Sequence, residues 1–276
     1  MKAALVQLCS SDDPAANLPV TLAWIEKAIA GGADFVLTPE VTNCVSSSRA
    51  RQEEVLRGEA EDITLAALRD LAAMRGIWLL IGSLALKTME PDGRFANRSF
   101  LITPGGEIAA RYDKIHMFDV QISATESYRE SAGYRPGAQA VLAEMPFGAL
   151  GMTICYDLRF PHLYRNLAQG GAGVMAVPSA FSPVTGAAHW ETLLRARAIE
   201  TGAYVLAPAQ TGTHGTSHAA PRRTYGHSLA VSPWGKVLAD GGTAPGISYV
   251  DLDMAEVMSA RRRIPSLMHS SGFDLP

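Results

Sequence analysis

The chain has 276 residues, of which 47% are hydrophobic and 18% are charged, and its formal net charge at pH 7 is −3. This balance argues against a general nucleic-acid or membrane-surface binder, because both need an excess of positive charge. No charge run and no Ser/Gly-rich stretch marks a linker, and one large α/β domain commonly reaches this length. We therefore expect a single domain over residues 1–276, with a C-terminal tail from about residue 265.

From the first residue onward, short apolar runs that predict strands alternate with segments whose apolar residues recur at helical spacing. Residues 1–8 read as a buried strand, and apolar residues at helical spacing predict a helix from an N-cap at Asn17 to a stop at Gly31. A strand over Phe35–Leu37 and a helix that ends at Gly76 follow. The next predicted strands cover residues 78–86, 99–103 and 107–111, the last two folded as a hairpin at Pro104-Gly105-Gly106.

The C-terminal half repeats this alternation. Its predicted strands cover residues 149–154, 174–177, 204–207, 228–231 and 236–239, and its predicted helices lie near residues 161–169, 187–201 and 254–263. Ala33–Glu40 also aligns without gaps on Ala172–Ser179, and a Gly-Gly pair precedes each segment. Two similar half-folds packed sheet against sheet explain this echo, and they imply that Ser179 lies near a site opposite Glu40.

Cysteine and histidine spacing gives no metal or disulfide pattern. Cys9, Cys44 and Cys155 form no CxxC pair, which fits a reducing compartment. His214 and His218 stand four residues apart, but in a loop-like segment rather than on the helix that a zinc pair of this spacing needs. No basic segment leads into an apolar stretch, and no apolar run reaches about 18 residues. We expect a cytoplasmic protein without metal or cofactor, which binds neither nucleic acid nor membranes.

Cys155 stands where a predicted strand ends and Phe160-Pro161 opens a helix. A thiol at an exposed strand end near a helix N-terminus has a lowered pKa, so its thiolate is available as a nucleophile. The alternative is a small apolar core residue, which is the usual role of a free cysteine.

Two further polar residues follow predicted strands. Glu40 stands at the carboxyl end of the strand over Phe35–Leu37, where sites assemble in α/β sheets, and Lys114 follows the second strand of the hairpin. Judged alone, Glu40 could cap the segment that follows it, and Lys114 could be an ordinary solvated lysine.

Together, Thr-Pro-Glu40, Tyr-Asp-Lys114 and Cys155-Tyr-Asp stand in the order typical of the nitrilase (carbon–nitrogen hydrolase) superfamily, which the chain resembles over roughly residues 1–265. The resemblance implies an α/β fold, a four-layer αββα sandwich with internal pseudo-symmetry, and a homodimer. It also implies Glu40 as general base and acid, Lys114 as oxyanion stabiliser and Cys155 as nucleophile. Glu130, which precedes a Pro-Gly, lies where the superfamily has a second glutamate near the thiol.

The chemistry that this resemblance implies is hydrolysis of a linear amide through a thioester. An amide is a poor electrophile, so thiolate attack divides the reaction into acyl transfer and thioester hydrolysis. Glu40 would take the thiol proton, give it to the departing amine and then deprotonate water. Lys114 and the backbone N–H of Tyr156 would stabilise the negative oxygen of the tetrahedral intermediate, and Glu130 would orient Lys114 or the substrate.

A closer resemblance narrows the small-molecule substrate. The segments similar to the branch of deaminated-glutathione amidases and ω-amidases are Cys155–Pro161, Pro178–Phe181, Thr185–Glu191 and Arg195–Glu200, while Ala209–His214 and Thr224–Ser228 are more similar to the former. The resemblance implies an amide of a 2-oxo acid, with deaminated glutathione ahead of 2-oxoglutaramate. A catalytically silent binding relative and a redox-sensing thiol are the alternatives from other classes. The loop over Thr213–Arg223 departs from the pattern of the branch.

Arg159 is the first candidate for binding the carboxylate of such a substrate. An arginine fork suits a carboxylate, and Arg159 lies four residues past the nucleophile. Its alternative role is a buried structural pair with Asp157 or a neighbouring carboxylate. The predicted substrate-binding residues are therefore Tyr156, Arg159 and Ser179.

Overall fold

The computed structural model describes residues 1–124, 126–216, 221–269 and 272. The strands are β1 (Lys2–Gln7), β2 (Phe35–Leu37), β3 (Trp78–Leu86), β4 (Ala96–Ile102), β5 (Ile108–Asp113), β6 (Asp119–Gln121), β7 (Ser127–Arg129), β8 (Val141–Met145), β9 (Gly148–Met152), β10 (Ala172–Ala176), β11 (Tyr204–Ala207), β12 (Thr211–Thr213), β13 (Arg223–Tyr225), β14 (Leu229–Val231), β15 (Val237–Asp240) and β16 (Gly246–Asp251). The helices are α1 (Pro14–Ala30), α2 (Arg49–Val55), α3 (Ile63–Arg75), α4 (Pro161–Gln169), α5 (Pro183–Thr201) and α6 (Met254–Arg263). Within these described ranges, none of the helices is long and apolar enough to cross a membrane.

Two six-stranded sheets form the centre of the molecule. The first has the order β16-β1-β2-β3-β4-β5 and the second has the order β15-β14-β11-β10-β9-β8. Three neighbouring strands run parallel in each sheet, β1 to β3 in the first and β9 to β11 in the second, and antiparallel strands flank them. Taken from β16 in one sheet and from β8 in the other, the two orders correspond strand for strand. The predicted internal pseudo-symmetry is therefore confirmed.

The corresponding places of β2 and β10 explain the echo between their sequences. Each strand is the middle one of its three parallel strands, and each is followed by a proline and a polar residue. Glu40 follows Pro39 after β2, and Ser179 follows Pro178 after β10. The echo therefore marks the same point of the fold in both halves.

The alternation of side chains in β1 shows how the layers are built. Ala3 and Leu5 join the apolar core shared with the second sheet, whereas Ala4 and Val6 pack with residues of α1 and α3. Helices α4 and α5 pack on strands of the second sheet. The layers run helices, sheet, sheet, helices, so the predicted four-layer αββα sandwich and the α/β class are confirmed.

Helix α1 begins earlier than the sequence analysis predicts. Its N-cap is Asp13, whose carboxylate accepts hydrogen bonds from the N–H groups of Ala15 and Ala16, and Pro14 occupies the first helical position. Asn17 is instead a buried residue of the first turn, and its side chain bonds backbone groups of neighbouring segments. The predicted N-cap at Asn17 was wrong because an Asp-Pro helix start carries no apolar periodicity.

Helix α2 and six of the described strands, β6, β7, β8, β12, β13 and β16, were not predicted from the sequence. Two of these unpredicted elements, α2 and the β6–β7 hairpin, matter for the site. Helix α2 has seven residues and buries only Gln52, so it has no apolar stripe to reveal it. The hairpin of β6 and β7 has strands of three residues each, without buried apolar positions. Both elements contribute residues to the wall of the candidate site described below.

Strand β3 contains an irregularity that fixes the segment holding Glu40. Its register with β4 shifts in the middle of the strand, beside Gly82. A Cβ atom at Gly82 would overlap the carbonyl oxygen of Thr38 and lie 2.5 Å from the Cβ atom of Pro178. The segments that follow β2 and β10 therefore meet at a point where only glycine fits.

We predict that Gly82→Ala destabilises the protein, because the added methyl group has to displace backbone on both sides of the sandwich. Overpacking of this kind costs about 1–3 kcal/mol in the free energy of unfolding, which denaturant titration measures. Gly105→Ala is the matched control, because its nearest neighbour would be Thr103 Oγ1 at 3.6 Å. Equal stabilities of the two variants would contradict the close approach at Gly82.

Candidate active site

The four predicted catalytic residues lie in one cavity. Glu40 comes after β2, Lys114 after β5, Glu130 after β7 and Cys155 after β9. Only 3% of Glu40, 2% of Lys114 and 7% of Cys155 is exposed. All four line a cavity of about 850 Å³, so the fold brings together residues that are far apart in the chain.

Lys114 lies between two carboxylates. Its Nζ atom donates to Glu40 Oε1 at 2.9 Å and to both carboxylate oxygens of Glu130 at 2.9 Å. Burial by itself lowers the pKa of the Lys114 ammonium, but the charges of Glu130 and Glu40 outweigh it and raise this pKa well above its ordinary value. Lys114 is therefore a charged ammonium, and the predicted alternative of a solvated lysine is wrong.

Glu40 is held in its ionised form. Burial by itself raises the pKa of this carboxyl, but the charges of Lys114 and Arg222, with hydrogen bonds from Lys114 and Cys155, bring the pKa below its ordinary value. Its second oxygen, Oε2, accepts the backbone N–H of Ala180 at 2.8 Å. Glu40 therefore has both oxygens bonded and carries the negative charge that a base requires.

Cys155 differs from its prediction. The thiol is buried rather than exposed, and α4 begins only at Pro161. Burial and the negative charge of Glu40 raise the pKa of the thiol above its ordinary value, and they outweigh Lys114 and the backbone N–H of Ala180, which lower it. The expected low-pKa thiolate is therefore corrected to a neutral thiol beside an ionised carboxylate.

Two residues of the site have left-handed backbone conformations. Cys155 has φ +49° and Val41, which follows Glu40, has φ +47°. Residues other than glycine rarely adopt this backbone region, and a β-branched residue is especially disfavoured there. Backbone bonds stabilise both, because Cys155 N–H donates to Pro178 O at 3.0 Å and Val41 N–H donates to Ser83 Oγ at 2.8 Å. The strained turns lie directly at the predicted nucleophile and base.

Glu130 is fixed by the backbone around it. Its Oε2 atom accepts the N–H of Phe118 at 2.6 Å, and its carbonyl oxygen accepts the N–H groups of Gly133 and Tyr134. The residue starts a short 3₁₀ turn directly after β7. The hairpin that the sequence analysis missed is thus the element that brings Glu130 to Lys114.

Asn97 is a member of the cluster that the sequence analysis missed. Its Nδ2 atom donates to Glu40 Oε1 at 2.9 Å and to Glu130 Oε1 at 3.4 Å. Its Oδ1 atom is buried without a hydrogen-bond partner in the described part of the chain. Asn97 stands just before the predicted strand over residues 99–103, so no sequence pattern marks it as a member of the site. The structure places it on β4, whose pairing partner β5 leads to Lys114.

Tyr156 lines the cavity next to the thiol. Among the described residues, its backbone N–H has no protein acceptor, so it is available to a bound oxygen. Its ring contacts Phe118 and Phe160 at centroid distances of 5.1 and 5.4 Å. The geometry is compatible with the oxyanion contact predicted for this N–H.

Arg159 lies beside the cavity rather than in its wall. Its guanidinium is 5.9 Å from the ring of Tyr156 and 5.5 Å from the ring of Phe181, both of which line the cavity. Its Nη2 atom is 3.3 Å from His189 Nδ1. The alternative pairing with Asp157 is wrong, because that carboxylate bonds the Tyr112 hydroxyl, His116 and the N–H of Ile154 instead.

Ser179 does not reach the cavity. The residue is fully buried, and its hydroxyl donates to the carbonyl oxygen of Val177 at 2.9 Å. The adjacent residue, Ala180, supplies the N–H that binds Glu40. The pseudo-symmetric position therefore contributes backbone to the site, and the expected side-chain contact of Ser179 is corrected.

The histidine pair set aside in the sequence analysis falls partly outside the described residues, because His218 is not among them. His214 is buried and bonds Ser10 O and Thr224 Oγ1 through its two ring nitrogens. Burial lowers the pKa of His214 to about 4, so the ring is neutral at physiological pH. In the part of the chain that the structure describes, no three His, Cys, Asp or Glu side chains group as a metal site would require.

The carbon–nitrogen hydrolase family model matches residues 2–262 of the chain. A deaminated glutathione amidase from Yersinia enterocolitica is 41% identical over 269 residues, which are 97% of this chain and 92% of the relative. The crystal structure of the Caenorhabditis elegans NitFhit protein superposes with a TM-score of 0.89 at 34% identity, over 98% of this chain and 64% of that one. A point mutant of an amidase from Nesterenkonia, at 28% identity and a TM-score of 0.77 over 95% of this chain and 94% of its own, carries the acetamide moiety of fluoroacetamide covalently at its active-site cysteine.

The protein therefore belongs to the carbon–nitrogen hydrolase (nitrilase) family, and it is an amidase. The fold, the order of the three motifs and the match over nearly the whole chain agree on this class. The predicted resemblance is confirmed.

We predict that Asn97→Ala lowers kcat/KM of the amidase by about tenfold or more, since a hydrogen bond to a charged group is worth about 1.5–3 kcal/mol. A donor to a carboxylate favours the ionised form and lowers its pKa, so removing Asn97 Nδ2 raises the pKa of Glu40. The acid limb of the pH profile of kcat/KM should therefore move to higher pH. Measurement of kcat/KM across the acid range in both proteins checks the shift.

Two further variants distinguish an effect of Asn97 on Glu40 from a general loss of folded enzyme. Asn97→Asp keeps the shape but adds a third carboxylate, so it should lose more activity than Asn97→Ala. Asn166→Ala, on an exposed face of α4, is the control and should leave the profile unchanged. An acid limb that stays in place in Asn97→Ala would show that Asn97 does not act on Glu40.

Proposed function

We propose that the protein hydrolyses deaminated glutathione to 2-oxoglutarate and cysteinylglycine, with Cys155 as nucleophile. The observation that carries the catalytic part is the buried cluster of a neutral thiol, an ionised carboxylate and an ammonium in one cavity. The substrate is supported by curated relatives of that name, from Yersinia enterocolitica to Rattus norvegicus, which match 97% and 96% of this chain.

The first half of the reaction transfers the acyl group to sulfur. Glu40 takes the proton of the Cys155 thiol, to which it is hydrogen-bonded, and the sulfur attacks the carbonyl carbon of the amide. The negative oxygen of the tetrahedral intermediate is stabilised by the Lys114 ammonium and the N–H of Tyr156. Glu40 then gives its proton to the amine nitrogen as the carbon–nitrogen bond breaks, which leaves a thioester.

The second half returns the enzyme to its starting state. Glu40 deprotonates a water molecule, whose oxygen attacks the thioester carbon, and the carbon–sulfur bond breaks as the Cys155 sulfur takes the proton back. The covalent adduct at the active-site cysteine of the Nesterenkonia amidase supports the assignment of the nucleophile. Glu130 touches neither water nor substrate in this scheme; it keeps Lys114 charged and oriented.

The acyl half of the substrate carries a 2-oxo carboxylate, for which we propose Arg159. Its guanidinium lies one aromatic ring away from the cavity, behind Phe181 and Tyr156. A planar guanidinium binds a carboxylate through two parallel hydrogen bonds, so lysine is a poor replacement at this position.

We also propose a cytoplasmic homodimer in which residues 1–276 form one hydrolase domain, with a tail from about residue 265. The three free cysteines fit a reducing compartment. Ile199, Trp234 and Ile264 are each about half exposed and surround one shallow apolar pocket, a surface that a second copy would cover.

We predict that the enzyme hydrolyses deaminated glutathione at least about tenfold more efficiently than 2-oxoglutaramate, because only the former has an amine half that the large cavity can bind. Release of 2-oxoglutarate from the two compounds, measured side by side, checks this ratio. In Cys155→Ala, both rates should fall by about 1,000-fold or more, since loss of a nucleophile removes the acyl transfer.

A preference for 2-oxoglutaramate would replace the proposal with an ω-amidase. Failure to hydrolyse either compound would contradict both substrates. Wild-type rates in Cys155→Ala would rule out the thioester route.

A further inference from the structure

The lining of the cavity carries a small excess of positively charged side chains in a chain whose net charge is −3. Its cationic lining residues are Arg49, Lys114, Arg129, Arg222 and Arg223, and its acidic ones are Glu40, Glu126 and Glu130. Lys114 is neutralised by its two glutamates. Arg49 pairs with Glu53 and donates to backbone carbonyls. Arg129, Arg222 and Arg223 remain against Glu126 and the one surplus negative charge of the Lys114 cluster. The lining therefore keeps a small excess of positive charge, which attracts anions.

Arg222 is the arginine of this set that lies nearest to the proposed base. Its Nη2 atom donates to the carbonyl oxygen of Ala180 at 2.8 Å, and the N–H of the same Ala180 donates to Glu40 Oε2 at 2.8 Å. Its charge also acts on the hydroxyls of Tyr128 and Tyr134, which line the same cavity. The guanidinium is thus inside the cavity, one residue away from Glu40.

Among the described residues, the guanidinium of Arg222 makes no ion pair of its own, although its charge lowers the pKa of the nearby Glu40 carboxyl. In the described ranges of the chain, no carboxylate lies within ion-pair distance of its guanidinium, and a backbone carbonyl is its hydrogen-bond partner. A partly buried guanidinium without a carboxylate partner favours a bound anion, because water has only limited access to it. The charge and the partial burial of the Arg222 guanidinium are therefore those expected of a group that binds a carboxylate of the substrate.

The position beside Glu40 indicates which carboxylate this is. Glu40 must give its proton to the departing nitrogen, so the amine half of the substrate lies on the side of Glu40. Arg159, in contrast, is next to Tyr156, which belongs to the same turn as the nucleophile. Arg222 lines the cavity one residue away from Glu40, whereas Arg159 lies outside the cavity wall, behind the ring of Phe181. Arg222 is therefore the arginine beside the position of the departing nitrogen.

We propose that Arg222 binds the carboxylate of the leaving amine, and thereby selects amides whose amine half is an anionic dipeptide over amides of ammonia. The inference rests on the proposed function, in which the amine half is cysteinylglycine. Arg159 then binds the carboxylate of the acyl half of the substrate, and Arg222 binds the carboxylate of the amine half. The acyl carboxylate is common to deaminated glutathione and 2-oxoglutaramate, whereas the subsite at Arg222 is used only by the former.

The test compares deaminated glutathione with the same compound in which the terminal glycine is an amide. The wild-type enzyme should prefer the free acid by about 10- to 100-fold in kcat/KM, which is the range for one charge-assisted hydrogen-bonded pair. In Arg222→Gln this ratio should fall to about one. Because both compounds share the scissile bond, any effect of Arg222 on Glu40 lowers both rates equally and leaves the ratio unchanged.

Two other variants make the comparison specific. Arg222→Lys keeps the positive charge but loses the planar guanidinium, so its acid-to-amide ratio of kcat/KM should lie between those of the wild type and Arg222→Gln. This variant replaces Arg222→Gln in the test if the glutamine variant does not fold. Arg57→Gln removes an exposed arginine that does not line the cavity, and its ratio should equal that of the wild type.

The outcomes separate the two proposals. A wild-type enzyme that does not distinguish the acid from the amide, or an unchanged ratio in the Arg222 variants, overturns the role of Arg222 and leaves the amidase function intact. A wild-type enzyme that hydrolyses neither compound overturns the proposed substrate, and the role of Arg222 falls with it.

Discussion

The buried ammonium of Lys114 is the interaction on which the rest of the site depends. A charge that is only 2% exposed is strongly disfavoured unless carboxylates surround it, and here Glu40 and Glu130 supply them. Removing one partner of such a buried pair typically costs about 3–5 kcal/mol, so the three residues stabilise one another as a unit. The same arrangement keeps Glu40 ionised, which is the state in which it can take a proton. Fold stability and acid–base chemistry thus have one electrostatic cause.

The duplicated fold explains how this cluster meets the nucleophile. The segments after β2 and β10 occupy corresponding places in the two sheets and come together at Gly82. One segment contributes a side chain, Glu40, and the other contributes backbone, because the N–H of Ala180 binds Glu40 and Pro178 O holds Cys155 N–H. The pseudo-symmetric halves are therefore equivalent in their fold but not in their chemistry.

The sequence predicts the parts of this arrangement that depend on local pattern. The periodicity of apolar residues and the glycines at helix ends locate most of the strands and helices. Glu40, Lys114 and Cys155 are found because they follow the ends of predicted strands. It does not predict what depends on contacts between distant segments. The raised pKa of the Cys155 thiol arises from its burial and from the charge of Glu40. Asn97 and Arg222 are recognised only when β4 and the segment after β12 are seen beside Glu40. Helix α2 and the β6–β7 hairpin are too short to show a period.

The location of one proton is what the proposed mechanism depends on most directly: at rest the proton is on Cys155 and not on Glu40. Thiolates absorb in the ultraviolet where thiols do not, so the difference in absorbance between the wild type and Cys155→Ala, followed with pH, locates the proton. Since the pKa of the thiol is raised above 9.0, we expect no thiolate signal of Cys155 from neutral pH up to about pH 9. A full thiolate signal at pH 7 would contradict this, because Glu40 would then already hold the proton that it is proposed to take.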